Sequence, residues 1–533
     1  MQKILESGVG VRFVELTKKH YFLIVITLGS LLIAFWTLIR FWSSKTIFDL
    51  IGQQVLAQSL LKDGVMDGTV GATHYILKLF LVYIPFARSH IDPRLGLVLM
   101  TLLINITSFV LMAFALRSIA RSFGVFRKEM FAIALIWFAS LAGSILWIEF
   151  ANSRNIEIAA GLWLVAIGLK ILNNPRLSLG ISFVMISTVT FFMDPLQVYM
   201  TALPLLVFGT ISSLITLNKH RDIRPLKRAG VLALILAFSY FAAKLLLVAV
   251  ESKTGLRVID GQSSILGITS VHQLIYGIKG LMTANIRVFS GYVADGGRLR
   301  QAVALAGVLL TAAAWILLAI KKKIPSTFAV FIVVFLITIE SIYLFSGQSL
   351  NGDTSRYLVM SAPIFVLLIG SLPIEARTGR IVAAGLAITL VCNVVAISGL
   401  FVVASRDTYI KDGPLSQVES VVAENKDTRF YGSMDTALPT MYYYPNAEVL
   451  PLSCSGNGLS RAETFYPKSS FEKYQSQVTK FRAVILDNGK VITNYPFTCS
   501  EESIVKQLGA PLRQTEIADG FTVLYYPQGS FSF

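Results

Sequence analysis

The sequence has few charged residues for its length. Asp, Glu, Lys and Arg make up 15% of the 533 residues, whereas 54% of the residues are hydrophobic. A soluble domain carries about 25% charged residues, and it does not need apolar runs that are long enough to cross a bilayer. The composition therefore excludes a soluble globular protein and predicts a membrane protein with many spans.

Histidine is also scarce, and the motifs of many soluble enzymes are missing. The five His residues form neither HExxH nor a Cys/His zinc spacing, so no metal is indicated. The sequence contains no GxxxxGK[ST] loop, no GxGxxG that opens a helix after a strand, and no Gly-x-Ser-x-Gly elbow. A nucleotide-binding enzyme and a serine hydrolase are therefore not expected.

The chain has only three cysteines, and Cys392 lies within an apolar run. Cys454 and Cys499 both lie in the polar C-terminal part of the chain. They form a disulfide if that part faces an oxidising compartment, and the alternative is two unpaired thiols.

Apolar runs of roughly membrane-crossing length recur over the first 404 residues. They cover residues 20–42, 95–116, 130–148, 156–172, 178–193, 196–217, 229–250, 301–320, 327–346, 357–374 and 380–404. The first run contains Tyr21–Trp42, which is too long for the apolar core of a cleavable signal peptide, so we expect it to remain as a span. The odd number of runs places the two termini on opposite sides of the membrane.

The distribution of charge predicts the orientation of these spans. Residues 1–404 hold 35 basic and 17 acidic residues, a balance of +18, whereas residues 405–533 hold 12 and 14, a balance of −2. The positive charge therefore belongs to the membrane part and does not indicate nucleic acid. Short basic loops lie within residues 1–19, 117–128, 170–176, 219–228, 321–323 and 377–380. The positive-inside rule makes these loops and the N-terminus cytoplasmic. The outward segments are 43–94, 149–155, 251–300, 347–356 and the chain after residue 404.

After Ser405 the composition becomes that of an ordinary globular domain. FRAVILD (481–487) and FTVLYYP (521–527) have the character of strands, and ESIVKQLG (502–509) has that of a helix. The predicted fold is therefore an α-helical polytopic membrane domain, residues 1–404, followed by a small extracytoplasmic α/β domain, residues 405–533. The only Asn-x-Ser/Thr sequon, at Asn105, lies within a predicted span, which favours a bacterial inner membrane.

Two outer segments, 43–94 and 251–300, are predicted to contain helices that lie along the membrane surface. In the first, apolar residues from Leu50 to Leu61 recur at helical spacing with Gln53, Gln54 and Gln58 between them. In the second, a similar pattern carries Lys279 and Arg287, which predicts a surface helix with a cationic wet face.

Charged residues gather at the outward ends of the predicted spans, where a charge is costly and is therefore a candidate for function. They are Asp49, His74, Lys78, Glu149, Arg154, Glu157, Asp194 and Arg356. A cation can hold a phosphate group while a carboxylate takes a proton from a hydroxyl group. The structural alternatives are a helix N-cap for Asp49, headgroup anchors for His74 and Lys78, an i,i+3 ion pair for Arg154 and Glu157, and a chain reversal for Asp194-Pro195.

Two short motifs resemble a known family. Phe48-Asp49 follows the first span and leads into a helix with Ala57 and a polar break at Lys62-Asp63-Gly64, and SRYLVMSAPIFVLLIG (355–370) has Arg-Tyr-Leu with a downstream Pro at the outward start of a late span. With the predicted architecture, these motifs resemble the GT-C superfamily of membrane glycosyltransferases, of the protein O-mannosyltransferase and aminoarabinose transferase type. Asp49 is followed by Leu50, whereas the commonest family pattern has an acidic pair.

The resemblance implies an inverting transfer of a sugar from a polyprenyl-phosphate carrier to a glycan, lipid or protein of the cell envelope, with Asp49 as the general base. The implied donor-phosphate ligands are Arg356 and Tyr357 with Lys279 or Arg287, and the implied substrate contacts are His74, Lys78, Arg154, Glu157 and Asp194. No cofactor is expected besides the donor substrate, and the surrounding membrane lipids are further partners. The alternative is a transporter or flippase of a lipid-linked or anionic solute, for which inverted repeats are expected and not found.

Overall fold

A computed structural model of the chain describes residues 8–43, 48–63, 69–70, 76–89, 91–141, 154–258, 270–290, 297–346, 349, 358–375, 377–404, 414–455, 458–461, 466, 468–487, 500–518 and 520–530.

Helices make up most of the chain before residue 405. In chain order the helices are α1 (Gly8–Ser43), α2 (Phe48–Asp63), α3 (Ile76–Lys78), α4 (Ile84–Arg88), α5 (Pro93–Ser122), α6 (Lys128–Ser140), α7 (Asn155–Asn173), α8 (Leu177–Met193), α9 (Leu203–His220), α10 (Arg224–Thr254), α11 (Val271–Ser290), α12 (Gly297–Ile320), α13 (Ser326–Phe345), α14 (Ser361–Gly370), α15 (Arg377–Ala404), α16 (Pro414–Glu424), α17 (Met434–Tyr443), α18 (Lys468–Ser476) and α19 (Glu501–Leu508). The strands are β1 (Thr69–Val70), β2 (Arg257–Val258), β3 (Thr428–Ser433), β4 (Val449–Ser455), β5 (Gly458–Arg461), β6 (Phe481–Asp487), β7 (Arg513–Ala518) and β8 (Phe521–Pro527). Two π-helical turns, Leu79–Tyr83 and Val198–Ala202, lead into α4 and α9.

Each of the eleven predicted apolar runs coincides, wholly or in part, with a helix in the part of the chain that the structure describes, from α1 for the first run to α15 for the last. Within the described residues, the helices that are long and apolar enough to cross a membrane are Leu95–Ser122, Asn155–Asn173, Val198–His220, Arg224–Thr254 and Ser326–Phe345. Shorter apolar helices cover His20–Phe35, Leu177–Met193, Leu305–Ile320 and Ser361–Gly370. The chain is therefore a helical membrane protein, as its sequence predicts.

The chain divides into two compact units. The first unit comprises Met1–Leu38, Thr101–Leu245 and Gln262–Leu400, and the second comprises Ile39–Met100, Leu246–Gly261 and Phe401–Phe533. The second unit thus joins the segment after the predicted boundary at residue 404 to much of the first outer loop and to the end of α10.

In the first unit, aromatic rings from α9, from α13 and from the residue that follows α5 pack together. The Phe331 ring centroid lies 5.0 Å from that of Phe123, 5.3 Å from that of Phe208 and 4.4 Å from that of Phe335. Because ring pairs at such distances attract one another beyond the area that they bury, this cluster is a core of the unit.

One side of the first unit's α10 is apolar and exposed. The exposed side chains are Leu234, Phe238, Phe241 and Leu245. A contiguous exposed apolar face is expected where a helix meets lipid hydrocarbon instead of water. This face is consistent with α10 as a membrane span.

The second unit contains a six-stranded sheet in the order β5-β4-β3-β6-β8-β7. β3 pairs in parallel with β4 and β6, whereas the other neighbours in the sheet are antiparallel. The predicted strands at 481–487 and 521–527 are β6 and β8, which pair directly with Val484 opposite Leu524. The predicted helix at 502–509 is α19. The small C-terminal α/β region is therefore confirmed.

Parts of two outer loops also belong to the second unit. α2 packs on α17, and Lys62 forms an ion pair with Glu448. The buried Tyr442 hydroxyl donates a hydrogen bond of 2.5 Å to the Pro93 carbonyl oxygen. β1 and β2 pair in parallel. These contacts fix the first outer loop, and the residues after α10, within the unit that contains the α/β fold.

Candidate functional site

Asp49 is the second residue of α2, the helix that begins at Phe48 soon after α1 ends at Ser43. The predicted helix after the first span is therefore confirmed, with Asp49 in its first turn. The Asp49 side chain is not among those that the structure describes. Its role as general base, and its alternative as N-cap, remain predictions.

α2 is enclosed by protein. Ile51, Gln53 and Gln54 are buried and Gln58 is half-buried. The cause is packing, because α17, α4 and the π-helical turn Leu79–Tyr83 all contact this helix. Gln53 and Gln54 therefore do not form a solvated face of α2.

The carboxamides of these two glutamines have unpaired polar atoms. Within the described part of the chain, Oε1 and Nε2 of Gln53 have no hydrogen-bond partner. Nε2 of Gln54 has none there either. Gln53 is 0% exposed. Since buried polar groups are nearly always paired, this helix carries a functional candidate that the sequence did not reveal. A polar residue in an amphipathic pattern normally indicates a solvated face.

Lys78 is the last residue of α3, and its side chain is 5% exposed. A side chain that protein encloses to this degree does not extend into lipid headgroups, so the anchoring alternative is wrong for Lys78. A buried ammonium group needs polar or charged contacts, which Lys78 has. His74 lies outside the described residues.

In the first unit, Arg154 and Asp194 form a buried ion pair. Arg154 is the N-cap residue of α7, and Asp194 is the C-cap residue of α8. The Arg154 Nη1 donates to Asp194 Oδ2 at 3.1 Å and to Oδ1 at 3.4 Å. The sequence singled out both residues, but its structural alternative paired Arg154 with Glu157. The structure joins Arg154 to a carboxylate that lies 40 residues further along the chain, and the pairing of Arg154 with Glu157 remains a prediction.

Asp194 also forms the chain reversal that was predicted at Asp194-Pro195. Its Oδ1 accepts from the Leu196 N–H at 3.2 Å, and its Oδ2 accepts from Gln197 Nε2 at 3.3 Å. Gly161 of α7 allows this turn to approach closely, because a Cβ at that position would lie 2.4 Å from Gln197 Oε1. Both oxygens of Asp194 already accept hydrogen bonds, which suits a positioning role better than proton abstraction.

A line of polar side chains continues from this pair through the first unit. Asn155 Nδ2 donates to Asn105 Oδ1 at 2.9 Å, and Asn105 Nδ2 donates to Thr37 Oγ1 at 3.4 Å. The line connects α7, α5 and α1. The Asn105 side chain, which belongs to the sequon, can be buried because it forms these two hydrogen bonds. Glu157, in the first turn of α7, is fully buried. A charged or polar cluster thus occupies one end of α7.

Glu340 of α13 is a candidate that the sequence analysis missed. Its Oε2 accepts from Asn285 Nδ2 of α11 at 2.9 Å, and its Oε1 accepts from the Ser361 Oγ at the start of α14 at 3.2 Å. α11 comes close to this region, because a Cβ on Gly280 would lie 1.7 Å from the Ser349 carbonyl oxygen. The signal was present in the sequence, since a lone acid inside an apolar run is costly without partners.

α11 is the helix that was predicted in the 251–300 loop. Lys279 is exposed, and Arg287 lies two turns later on the same helix, with a side chain that the structure does not describe. The exposed large apolar side chains of α11 include Val271, Ile275, Ile278 and Met282. These residues recur along one stripe of the helix, as expected for a helix at a membrane surface. Phosphate binding by Lys279 and Arg287 remains a prediction.

Several predicted residues lie outside the described part of the chain. They are Glu149, Arg356, Tyr357 and Cys499. Cys454 lies on β4, and its side chain is not described. Asp49 belongs to the second unit, whereas Arg154, Glu157 and Asp194 belong to the first.

Among the described residues, no group of three or more His, Cys, Asp or Glu side chains is placed to hold a metal ion.

No protein-family model and no curated protein matches this chain. Among solved structures, the crystal structure of ArnT from Cupriavidus metallidurans bound to undecaprenyl phosphate has a similar fold. The two chains are 11% identical with a TM-score of 0.50, and the match covers 95% of this chain and 98% of that chain. The similarity shows a common fold over nearly the full length of both proteins.

Proposed function

We propose that this chain, which has the fold of the GT-C membrane glycosyltransferases, transfers a sugar from a polyprenyl-phosphate carrier to an acceptor on the outer side of the membrane. The observation that carries the proposal is the place of Asp49 in the first turn of an enclosed helix that directly follows the first apolar helix. Further support comes from ArnT, whose crystal structure of similar fold holds undecaprenyl phosphate.

Asp49 is the proposed general base. It would take the proton from an acceptor hydroxyl group while that oxygen attacks the anomeric carbon of the sugar, and the carrier phosphate would leave from the opposite side. One displacement of this kind inverts the anomeric configuration. The enclosure of α2 by protein supports this role, because exclusion of water strengthens electrostatic interactions and limits hydrolysis of the donor.

The donor phosphate is assigned to cationic and hydroxyl side chains from three segments. Arg356 and Tyr357 are the proposed main ligands, with Lys279 or Arg287 of α11 as a second cation. Arg suits this task because its planar guanidinium binds two phosphate oxygens together. Lys78 and His74 are proposed to contact the substrate, and the enclosure of the Lys78 side chain supports contact with an anionic group.

Arg154, Glu157 and Asp194 are proposed to orient hydroxyl groups of the sugar or of the acceptor. The ion pair between Arg154 and Asp194 supports a positioning role, because it fixes both side chains at the ends of α7 and α8. Glu157 lies in the first turn of α7 and is fully buried near the same helix end. The C-terminal α/β region is proposed to recognise the acceptor or to cover the site.

The decisive comparison is Asp49→Asn against wild type, with undecaprenyl phosphate that carries a radiolabelled sugar and an envelope extract as acceptor. Asn caps helices as well as Asp does, so this substitution removes the base but keeps the cap. Transfer is expected to fall about 100-fold or more. Wild-type transfer by the Asp49→Asn variant would contradict the proposed mechanism.

A matched control is Glu424→Gln, which removes an exposed carboxylate from α16 in the same unit and is expected to leave transfer unchanged. The anomeric configuration of the product, determined by NMR, tests the inversion. If proteoliposomes move the lipid-linked sugar across the bilayer without any transfer, the protein is a flippase and the enzymatic proposal fails.

A further inference from the structure

Gln53 is a fully buried residue whose carboxamide has no partner within the described part of the chain. Its neighbours Ile51 and Leu56 on α2 are apolar and fully buried as well. An unpaired buried donor and acceptor cost free energy that an apolar side chain of similar size would not cost. For stability alone, Met or Leu would serve better at this position. The carboxamide is therefore expected to bind a molecule other than the protein itself.

Position 53 is related to position 49 by helix geometry. The two positions are four residues apart on α2, which is slightly more than one turn, so they lie on the same face of the helix. They are separated by about 6 Å along the helix axis. A saccharide that presents one hydroxyl group to the first turn of α2 can reach the next turn with another of its groups.

The chemistry of a carboxamide favours a hydroxyl group over an anion. Gln53 offers two N–H donors and one carbonyl acceptor, and a hydroxyl group both donates and accepts. A phosphate group at physiological charge mainly accepts, and it would leave Oε1 of Gln53 without a partner. Gln54 adds a second buried N–H donor on the adjacent face of α2. The arrangement is typical of sugar binding, in which several hydroxyl groups are paired individually.

We propose that Gln53 binds a saccharide hydroxyl group and thereby helps to determine which sugar the protein accepts. This inference rests on the proposed glycosyl transfer, and it adds a residue that determines specificity. A site that pairs with a substrate hydroxyl group discriminates strongly against an analogue that lacks it, because the analogue leaves buried polar atoms unpaired.

The experiment compares Gln53→Met with wild type in lipid nanodiscs by thermal unfolding. One arm measures the stabilisation by undecaprenyl phosphate that carries glucose, mannose or arabinose, relative to the bare carrier. The other arm adds the free monosaccharides to protein that already holds the bare carrier. Without ligand, Gln53→Met is expected to unfold at the wild-type temperature or above it. Affinity for the sugar is expected to fall about tenfold in one of the two arms.

The arm that loses its sugar dependence identifies the source of the hydroxyl group, the donor sugar in the first and an acceptor sugar in the second. Gln58→Met, at a half-buried position of the same helix, is the matched control and is expected to keep both responses. The proposal is overturned if Gln53→Met lowers the unfolding temperature without ligand, or if the sugar-dependent stabilisation of Gln53→Met equals that of wild type in both arms. It is also overturned if no sugar stabilises the wild type.

The same measurements separate this inference from the proposed function. If Asp49→Asn transfers sugar at the wild-type rate while Gln53→Met loses its sugar-dependent stabilisation, the general-base assignment fails and sugar binding by Gln53 stands. If Asp49→Asn abolishes transfer and Gln53→Met changes neither arm, the transferase stands and the role of Gln53 is refuted.

Discussion

Arg154 and Asp194 are two opposite charges inside the first unit, with side chains 9% and 0% exposed. Removing two ions from water costs several kcal/mol each, which only close pairing and further hydrogen bonds can offset. The Asp194 carboxylate has these bonds from the Leu196 N–H and from Gln197. Loss of one partner would leave the other charge buried without compensation.

Asp194→Asn and Arg154→Met are therefore each expected to lower the free energy of unfolding by roughly 3–5 kcal/mol. The double variant Arg154→Met with Asp194→Leu is expected to recover most of that loss, because no unpaired charge remains. Denaturant unfolding in detergent measures both effects. The control is Asp222→Asn, which breaks an exposed pair with Arg224 and is expected to cost about 0–1 kcal/mol. Equal losses in the single and double variants would contradict the argument.

Sequence reasoning found Arg154 and Asp194 because charges at the ends of apolar runs stand out. It missed Gln53, because a glutamine between apolar residues has the pattern of a solvated helix face. Only the packing of α17 and α4 against α2 shows that this face is covered. Glu340 was missed for another reason, since the candidates were sought at the ends of spans and this acid lies within a run.

At the scale of helices, α11 is fixed to its neighbours by two contacts of different kinds. Gly280 allows the backbone of α11 to approach the Ser349 carbonyl, and Asn285 donates to the Glu340 carboxylate. The same carboxylate accepts from Ser361, so one side chain connects α11, α13 and α14. The position of Lys279 and Arg287, the predicted phosphate ligands on α11, therefore depends on Glu340.

Glu340→Leu is expected to loosen α11, because Asn285 and Ser361 lose their acceptor together. Loss of the Asn285 hydrogen bond is expected to lower the free energy of local opening of α11 by about 1.4 kcal/mol. Amide hydrogen exchange in the second half of α11 then becomes about tenfold faster. Mass spectrometry of peptides from 281–290 measures the exchange. Ser361→Ala removes one of the two donors and is expected to give a smaller effect. Glu375→Gln, at an exposed position, is the control and is expected to leave the exchange unchanged. If Glu340→Leu also leaves it unchanged, the Glu340 carboxylate does not hold α11.

At the scale of the whole molecule, the membrane helices could be predicted because each must present a long apolar run. The strands β6 and β8 could be predicted from their β-branched and aromatic residues. The sequence did not predict which segments of the chain make up the second unit. Its outer-loop helix α2 has contacts such as that of Lys62 with Glu448, which lies 386 residues further along the chain. Local periodicity cannot predict a pairing between such distant residues.

Buried tyrosines link the parts of the second unit. Burial raises the pKa of Tyr442 well above the usual tyrosine value, and burial likewise raises the pKa of Tyr474. Tyr442 donates to the Pro93 carbonyl oxygen, and Tyr474 donates to the Glu448 carbonyl oxygen at 2.9 Å. Each bond requires the protonated hydroxyl group. The contact of the α/β fold with Pro93 therefore depends on protonation of Tyr442, and a contact within the α/β fold depends on protonation of Tyr474.

These raised pKa values predict that the second unit loses stability in alkali. The unfolded chain ionises its tyrosines near pH 10, whereas the folded unit keeps Tyr442 and Tyr474 protonated to higher pH. Their contribution to stability is therefore complete below about pH 10 and is lost as the pH rises further towards the folded pKa values. The full chain in nanodiscs, followed by tyrosinate absorbance and unfolding against pH, provides the measurement.

Tyr442→Phe combined with Tyr474→Phe separates the two consequences of these hydroxyl groups. At neutral pH the variant is expected to lose about 1 kcal/mol for each hydrogen bond. Above about pH 10 its stability is expected to fall less steeply than that of wild type, because two groups no longer release protons on unfolding. Tyr276→Phe, at an exposed position of α11, is expected to change neither quantity. If the double variant loses stability with the wild-type slope, the alkaline transition belongs to other groups, because only groups whose pKa differs between the folded and unfolded states contribute to that slope.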